Sequence, residues 1–506
     1  DPPRMTDAQL SELKHELRAI HDLQAAAAVL EWDQSTYMPA AGAAARGRQI
    51  ALLGRLAHER MTAPRMGELL KGLGGVADAD SIEGALVRRA RREHERATRV
   101  PGELVSAIKS HTAESYVAWT KARPANDFAA VRPYLEKTVE LSRRWSACFP
   151  EAEHVLDPLI DAQDPGMSAA SVRSLFAELR AALVPIVKTL LARPAPERAF
   201  LGRPFPKAAQ RAFGEQVIRQ LGYDFERGRQ DETAHPFMIR FSAGDVRITT
   251  RFDEADPTEA LFGTVHEAGH AMYEQNIAAE LDGTPLGEGT SAGVHESQSR
   301  LWENLVARSR PFWTRFYPAL LETFPEQLAG IDADAFHRAI NTVERSLIRT
   351  DSDEVTYNLH VMLRFDLEAQ LLEGTLPVKD LPDAWNARIE ADLGVRPPSD
   401  ALGCMQDVHW YCTTVGGTFQ GYALGNLMAA QFFAAAERAL GDVDAAIAEG
   451  DFAPLRGWLT ENVYRHGARY LPDELVEKAT GAPLSIAPFI AYLKGKYGPL
   501  YGVESW

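Results

Sequence analysis

The chain of 506 residues carries 70 acidic side chains against 54 basic ones, a formal net charge of -16 at pH 7. This negative excess argues against nucleic acid and anionic membranes as partners, and no apolar run approaches the roughly 20 residues of a membrane span. The polar N-terminal residues lack the pattern of a secretory signal. Cys148, Cys404 and Cys412 are an odd and small number of cysteines, which favours a reducing compartment and a cytoplasmic protein without disulfides.

The N-terminal third has the apolar spacing of helices. Leucine and isoleucine recur at helical intervals from Leu10 to Leu23, which predicts a first helix that breaks within Glu31–Pro39. A second helix follows, and further helices are expected up to Leu191. Four prolines and a glycine then make residues 193–207 a candidate loop between two lobes of one domain that spans residues 1–506.

Two short segments before residue 253 show the only clear strand pattern. Phe237–Phe241 and Val246–Phe252 are rich in β-branched and aromatic residues and flank Ser242–Asp245, so they predict a β-hairpin. Such a hairpin can bind an extended peptide by adding it as a further strand, or it can close the core. The sequence leaves both roles open.

The segment that follows predicts a helix with a metal site. Asp256 is a suitable N-cap, Pro257 suits the first helical position, and Glu259 suits a capping box. His266 and His270 are four residues apart, an advance of about 400° on a helix, so both side chains project from one face. The pattern His-Glu-x-x-His is typical of zinc peptidases, in which the glutamate, here between the two histidines, is the general base. The alternative is an amphipathic helix with two surface histidines.

A third metal ligand is expected downstream. Glu296 lies 26 residues after His270, and two histidines, a glutamate and a water form a known catalytic zinc arrangement. A distal glutamate on a second helix fits a gluzincin, since the histidine extension of metzincins is missing. His295 competes with Glu296 for the third position.

Several motifs occur in the order found in the carboxypeptidase Taq family of metallocarboxypeptidases, which the chain resembles over nearly its whole length. They are Trp32-Asp33-Gln34 with Met38-Pro39, His235-Pro236-Phe237, Asp245-Val246-Arg247-Ile248-Thr249, the helix with His266 and His270, His295-Glu296-Ser297-Gln298, Ile348-Arg349-Thr350-Asp351-Ser352-Asp353 and Gly403-Cys404-Met405-Gln406-Asp407-Val408-His409-Trp410.

The resemblance implies a mainly α protein, a large helical peptidase with a deep central cleft, a gluzincin core and a small β-hairpin beside the metal helix. It implies a homodimer that removes single residues from the C-termini of peptide substrates with broad specificity. In that family the counterparts of His266, His270 and Glu296 hold a metal, generally Zn2+, for which Co2+ can substitute.

Further roles follow from the chemistry that such an enzyme needs. Glu267 would take a proton from the attacking water and pass it to the leaving amine, and His409 or Tyr422 would stabilise the oxyanion. Arg349 is the candidate for binding the substrate's terminal carboxylate, because a guanidinium matches two carboxylate oxygens. Arg247 is the reserve candidate for that role. Ion pairs of Arg349 with Asp351, Asp353 or Glu354 are the structural alternative.

Two departures from the family pattern bear on these roles. Ser352 replaces the usual alanine, and the segment Gly417–Gly425 lacks a tyrosine and a proline that the family usually has. A tyrosine role in that segment therefore falls to Tyr422 or to no residue. Whether Gln406 or Asp407 orients a ligand histidine stays open.

Two rival functions are kept. The nearer is a helical zinc oligopeptidase or dipeptidase, which differs in where it cleaves. The farther is a zinc-binding scaffold without catalysis, against which the intact Glu267 argues because a scaffold needs no base between two ligands.

Overall fold

The computed structural model describes residues 7–74 and 81–506, and helices dominate these ranges. The predicted mainly α fold is confirmed. In chain order the α-helices are α1 Asp7–Thr36, α2 Ala43–Met61, α3 Pro64–Gly72, α4 Ile82–Arg99, α5 Gly102–Ala122, α6 Phe128–Ser146, α7 Asp157–Gln163, α8 Ala169–Leu191, α9 Lys207–Leu221, α10 Pro257–Gln275, α11 Ala292–Arg300, α12 Arg310–Thr323, α13 Ala333–Ala339, α14 Tyr357–Glu373, α15 Leu381–Leu393, α16 His409–Cys412, α17 Phe419–Leu440, α18 Val443–Glu449, α19 Ala453–Asn462, α20 Pro472–Thr480 and α21 Ala487–Tyr501.

Helix α1 ends inside the segment that the sequence predicts to break it. The predicted break falls within Glu31–Pro39 as expected, but the helix continues through the first residues of that segment to Thr36. Trp32 is buried, so burial of this large side chain stabilises the last turn. The helix ends shortly before Pro39, which disfavours a helical conformation in the preceding residue.

The chain divides into two compact units, each built from three segments. The first unit comprises the described part of Asp1–Thr98 together with Arg198–Ile340 and Phe432–Pro483, and the second comprises Arg99–Glu197, Asn341–Gln431 and Leu484–Trp506. One boundary, between Glu197 and Arg198, falls inside the predicted loop 193–207. The single domain with two lobes and a central cleft stays a prediction.

Three strands form a small sheet in the first unit. They are β1 Gln230–Glu232, β2 Met238–Ser242 and β3 Asp245–Thr250, in the order β1-β3-β2. The predicted hairpin is confirmed as the antiparallel pair β2 and β3. Strand β1, which pairs parallel to β3, was not predicted, because three polar residues carry no alternating pattern.

The sheet lies against helix α10. Val246 and Ile248 of β3 are fully buried, and the side chain of Gln230 donates to the Thr264 hydroxyl over 3.0 Å. Thr264 in turn hydrogen-bonds the Thr250 hydroxyl at 3.2 Å. These contacts fix α10 in the core of the first unit, where most of its side chains are buried.

The second unit is organised around helix α14. Most of its side chains are buried, and the guanidinium of Arg364 is completely removed from solvent. Val100, Leu104 and Leu141 form a smaller apolar cluster in the same unit. Within the described residues, none of the helices is both long and apolar enough to span a membrane.

Candidate metal centre and a buried arginine cluster

Helix α10 begins where the sequence predicts. The Asp256 carboxylate accepts a hydrogen bond from the Thr258 N–H at 3.0 Å, and Pro257 occupies the first helical position. The predicted N-cap is confirmed but the capping box is not formed, because Asp256 accepts from the Thr258 N–H and not from the Glu259 N–H, and Glu259 pairs with Arg251. An arginine offers a carboxylate a charged partner that an N-cap N–H does not.

His266 and His270 bring their imidazole rings together on one face of α10, with centroids 5.0 Å apart. Glu296, on α11, points an oxygen at both rings. Its Oε2 lies 3.7 Å from His266 Nε2 and 3.4 Å from His270 Nε2. One donor atom from each of the three residues lies within 4.8 Å of the others.

Gly269 allows α11 to approach α10 this closely. A Cβ atom at this position would lie 2.6 Å from the backbone oxygen of Gln298. Tyr464 also secures the approach: its hydroxyl donates to Gln298 Oε1 at 2.9 Å and accepts from Trp302 Nε1 at 3.0 Å. Its ring lies 5.3 Å from the Tyr273 ring of α10. Glu296 is therefore held by backbone packing as well as by its own contacts.

The segment Leu301–Val306 continues α11 as a π-helical turn. It places Glu303 so that its Oε2 lies 2.8 Å from His266 Nδ1. A carboxylate only accepts hydrogen bonds, so the Nδ1 of His266 carries the proton. The Nε2 of the neutral ring then has a free lone pair on the side that faces Glu296.

His270 has a similar arrangement through an intermediate ring. His270 Nδ1 lies 2.7 Å from His295 Nδ1, and His295 Nε2 lies 2.6 Å from Glu274 Oε1. Both nitrogens of His295 are thus occupied by these contacts. The third position beside the two histidines belongs to Glu296, and His295 lies behind His270.

The charges at this site favour a cation. Although burial opposes ionisation, the Arg300 guanidinium and His266 hold the pKa of Glu296 well below its usual range. Burial also opposes the charged form of His266, but the carboxylates of Glu296 and Glu303 outweigh it and raise its pKa to about 9. Without metal, a proton on His266 supplies the positive charge between these carboxylates. A metal ion would supply that charge in its place, so metal binding would release the proton.

The donor set fits a divalent transition metal. Two imidazole nitrogens and one carboxylate oxygen converge from α10 and α11, and both imidazoles have their other nitrogen engaged, as metal-binding histidines generally do. Glu267 lies next to the first of these histidines. Burial, with the nearby carboxylates of Glu296 and Glu303, raises its pKa to about 7.

The second unit holds a cluster of buried charges around Asp407. Arg349 donates to Asp407 Oδ1 through Nη2 at 2.8 Å and Nε at 3.2 Å, and Arg364 donates to Asp407 Oδ2. Although burial opposes it, the two guanidiniums keep the pKa of Asp407 well below its usual range. Gln406 Oε1 accepts from the Arg349 N–H and from Arg364 Nη2. The partner of Arg349 is therefore Asp407 and not one of the three acidic neighbours that the sequence suggested, and Gln406 and Asp407 bind arginines.

His409 and Tyr422 lie next to this cluster. His409 Nε2 is 3.2 Å from the Tyr422 hydroxyl, and the Arg349 guanidinium lies 5.2 Å from the Tyr422 ring centroid. Burial lowers the pKa of His409 to about 4, against the opposing effect of Asp407. The imidazole is therefore neutral near pH 7.

Arg247, on β3 of the first unit, has a one-to-one partner. Its Nε and Nη2 each donate to Asp245 at 2.8 Å. The guanidinium also lies over the Trp32 ring, 4.4 Å from its centroid. The positive charge of Arg247 is thus balanced by the single carboxylate of Asp245.

Sequence reasoning missed Glu274 and Glu303. The signal was helical spacing: His266, His270 and Glu274 recur every four residues, so all three share one face of α10. Glu296 and Arg300 are likewise four residues apart, and Glu303 follows three residues later. Extending the metal-binding face by one turn on each helix would have identified both carboxylates.

Comparisons with known proteins identify the family of the chain. A profile of the family described as Carboxypeptidase Taq (M32) metallopeptidase matches residues 12–497. Thermostable carboxypeptidase 1 of Thermus thermophilus is 42% identical, with the alignment covering 99% of this chain and 100% of that protein. Carboxypeptidase 1 of Bacillus subtilis is 38% identical, covering 96% of this chain and 97% of that protein.

A solved structure is similar along almost the whole chain. The crystal structure of the M32 carboxypeptidase from Deinococcus radiodurans R1 superposes with a TM-score of 0.96 at 54% identity, covering 98% of this chain and 100% of that one. The resemblance inferred from the motifs is thereby confirmed. The chain belongs to the Carboxypeptidase Taq (M32) metallopeptidase family and is a metal-dependent carboxypeptidase, a hydrolase that acts on peptides.

Proposed function

We propose that this enzyme holds Zn2+ with His266, His270 and Glu296, and that it removes single residues from peptide C-termini with broad specificity. The observation that carries the proposal is the fixed pair of imidazoles, each with its Nδ1 engaged and its Nε2 near Glu296 Oε2. Two nitrogens and one carboxylate oxygen form a donor set typical of catalytic zinc. Co2+ would substitute, because it accepts the same donors.

Glu267 is the proposed general base. A zinc ion at this site would supply Lewis acidity, which activates water and polarises the scissile carbonyl. Glu267 would accept a proton from the attacking water and deliver it to the leaving amine. A pKa of about 7 supports this role, because such a carboxyl both takes and returns a proton near neutral pH. Among the described residues, none forms a hydrogen bond with the Glu267 carboxylate, so the carboxylate is available to accept a proton from water.

His409 and Tyr422 are the proposed donors to the oxyanion of the transition state. A neutral imidazole and a phenol both donate hydrogen bonds, and the contact between them at 3.2 Å orients the two groups together. Loss of one such donor costs about 10²–10³ in kcat in well-studied hydrolases.

Arg349 is the proposed site for the substrate's terminal carboxylate, with Arg247 in reserve. Two guanidiniums share the single carboxylate of Asp407, so the cluster holds more positive than negative charge. Arg247, by contrast, pairs with the carboxylate of Asp245 in a one-to-one ion pair. An anion would therefore gain more beside Arg349 than beside Arg247.

A peptide ladder tests the proposed cleavage. An N-blocked peptide and its C-terminal amide are incubated with the zinc-loaded and the cobalt-loaded enzyme, and the products are measured by mass spectrometry. We expect successive loss of single residues from the free C-terminus and resistance of the amide. Glu267→Gln is expected to lower kcat by about 10²–10⁴, the usual contribution of a general base, without loss of bound metal.

Controls separate the roles. Glu259→Gln changes a carboxylate on the same helix that pairs with Arg251 away from the metal residues, and it should leave kcat unchanged. Arg349→Lys should raise KM for the free-terminus peptide, because an ammonium cannot reproduce the guanidinium fork. Release of dipeptides or internal cleavage would support an oligopeptidase instead, and bound metal without any cleavage would support a scaffold.

A homodimer in the cytoplasm is also proposed. The three cysteines are free thiols, which supports a reducing compartment. Sedimentation of the purified protein at several concentrations should give twice the mass of one chain, and a single-chain mass at all concentrations would overturn the dimer.

A further inference from the structure

Glu274 is the most deeply placed carboxylate near the candidate metal site, with 2% of its surface exposed. It lies on α10 one helical turn after His270. Its Oε1 accepts from the Gly289 N–H at 2.9 Å and lies 2.6 Å from His295 Nε2. Its Oε2 lies 3.1 Å from Arg240 Nε. Oε1 therefore faces two donors, and Oε2 forms an ion pair with Arg240 without an aligned hydrogen bond.

The direction of the hydrogen bonds follows from this carboxylate. Because Glu274 only accepts, the His295 proton resides on Nε2. With this proton on Nε2, the Nδ1 of His295 is the acceptor in the contact with His270, and it receives the Nδ1 proton of His270 over 2.7 Å. His270 is left with an unprotonated Nε2, the atom that faces Glu296 Oε2 at 3.4 Å.

We propose that Glu274 is a positioning residue for metal binding that acts through His295, by fixing the tautomers of both His295 and His270. Reversal of the row Glu274–His295–His270 would place a proton on His270 Nε2, where a metal ion needs a lone pair. The inference rests on the proposed metal site and adds to it a carboxylate that does not touch the metal.

The surroundings hold this row in place. A Cβ atom at Gly289 would lie 2.5 Å from His295 Cδ2, so the loop packs directly on the imidazole. The Tyr273 ring lies 5.0 Å from the His295 ring, on the same helix as Glu274. Arg240 binds both Glu274 and Asp282, which anchors the far end of the row.

A glutamine at position 274 would either reverse the row or lose the ion pair with Arg240, without changing the size of the side chain. Its amide has one oxygen that accepts and one NH2 group that donates. The NH2 group must therefore face either His295 and the Gly289 N–H, or Arg240. The first orientation reverses the row, and the second sets a donor against a guanidinium. His295→Gln is the more conservative substitution, since glutamine offers an acceptor for His270 and a donor for Glu274.

The test measures metal affinity in the full chain, by competition of zinc-loaded protein with a chelator and by the visible absorption of bound Co2+. Variants are Glu274→Gln, His295→Ala, the double variant and His295→Gln. We expect Glu274→Gln and His295→Ala each to weaken zinc binding about 10- to 100-fold and to alter the Co2+ spectrum, as loss of outer hydrogen bonds to ligand histidines does. The double variant should be no weaker than His295→Ala, and His295→Gln should recover much of the affinity.

Glu288→Gln is the matched control. Glu288 borders the same cavity of about 370 Å3 as Glu274, but its carboxylate pairs with Arg89 and not with His295. Wild-type affinity is expected for it. Unfolding of the metal-free variants by denaturant reports whether a loss of affinity is merely a loss of folding.

The outcomes separate this inference from the proposed metal site. His270→Ala should abolish tight zinc binding, and unchanged affinity in that variant would overturn the metal site itself. If His270→Ala loses the metal while Glu274→Gln binds it as wild type does, only the role of Glu274 fails. Additive losses of zinc affinity in the double variant would also overturn the action of Glu274 through His295. If Glu274→Gln does not fold, the comparison of His295→Gln with His295→Ala tests the row: equal zinc affinity in these two variants would overturn it.

Discussion

Burial raises the pKa of both Glu303 and Glu368, but their neighbours lower the two pKa values to different extents. The guanidinium of Arg300 and the ring of His266 overcome burial at Glu303 and lower its pKa to about 2. Glu368 has weaker partners: its Oε1 accepts from Trp410 Nε1 and from the Gly416 N–H, and burial raises its pKa to about 7. At these two positions the strength of the contact with an arginine separates a lowered pKa from a raised one.

Glu368 should make the protein less stable as the pH rises. Its folded pKa lies above the unfolded value, so the folded state binds more protons between pH 4.5 and 7, and the free energy of unfolding falls across that window and levels off above it. The full effect is on the order of 3 kcal/mol. Glu368→Gln should remove this part of the slope, measured by urea unfolding of the metal-free protein between pH 5 and 8.

An exposed carboxylate provides the comparison for that measurement. Glu136 on α6 has about half of its side chain exposed, so Glu136→Gln should leave the slope as it is. An equal slope in wild type and Glu368→Gln would show that Glu368 is already ionised in the folded protein at pH 5.

The residue scale also shows where sequence patterns stop being informative. The two histidines were predicted because spacing on a helix fixes which side chains share a face, and Glu296 because a catalytic zinc site needs a third protein ligand. Arg349 was predicted to bind the substrate's terminal carboxylate or to pair with a neighbouring acid, but its partner Asp407 lies 58 positions away. Such a pairing depends on how the segments before α14 and before α16 pack, and local propensity carries no information about that.

At the scale of elements, the contact between α10 and α11 creates the metal-binding group. Gly269→Ala should push these helices apart, because the new Cβ would lie 2.6 Å from Gln298 O and 2.8 Å from Ser299 Cα, both backbone atoms. We expect a loss of about 1–3 kcal/mol in unfolding free energy and a fall of at least about tenfold in zinc affinity as Glu296 moves from the histidines. Chelator competition and denaturant unfolding measure the two effects.

Gly263 gives the internal control on the same helix. The nearest atom to a Cβ at this position is Thr250 Oγ1, at 4.0 Å. Gly263→Ala should therefore keep zinc affinity and add up to about 1 kcal/mol of stability, as alanine does in helices. If the two alanine variants bind zinc equally well, close packing at Gly269 is not what positions Glu296.

Element boundaries divide in the same way into predictable and unpredictable ones. The start of α10 was predicted because Asp256 and Pro257 act locally. The π-helical turn Leu301–Val306 was not, since the extra residue per turn is sustained by tertiary contacts such as the hydrogen bond between Glu303 and His266.

At the scale of the whole molecule, metal and folding should be linked. His266 and His270 share α10, but Glu296 joins them only when α11 packs, so an ion that binds all three stabilises the folded state. Free zinc at about 100 times its Kd would add about 2.7 kcal/mol. Removal of metal by a chelator should lower the unfolding temperature of the wild type, as measured by calorimetry. The same chelator should have no effect on His266→Ala, and an equal decrease in that variant would place the stabilising ion elsewhere.

The hydrogen bonds of Tyr464 to Gln298 and Trp302 have a consequence for synthesis of the protein. They join residues more than 160 positions apart in the chain. The helix that carries Glu296 is therefore made by the ribosome long before the residue that completes its packing. Until then the apolar side chains of α10 and α11 lack their final contacts, and such surfaces are prone to aggregate. The packing of the helix that carries Glu296 is thus complete only after Tyr464 has been synthesised.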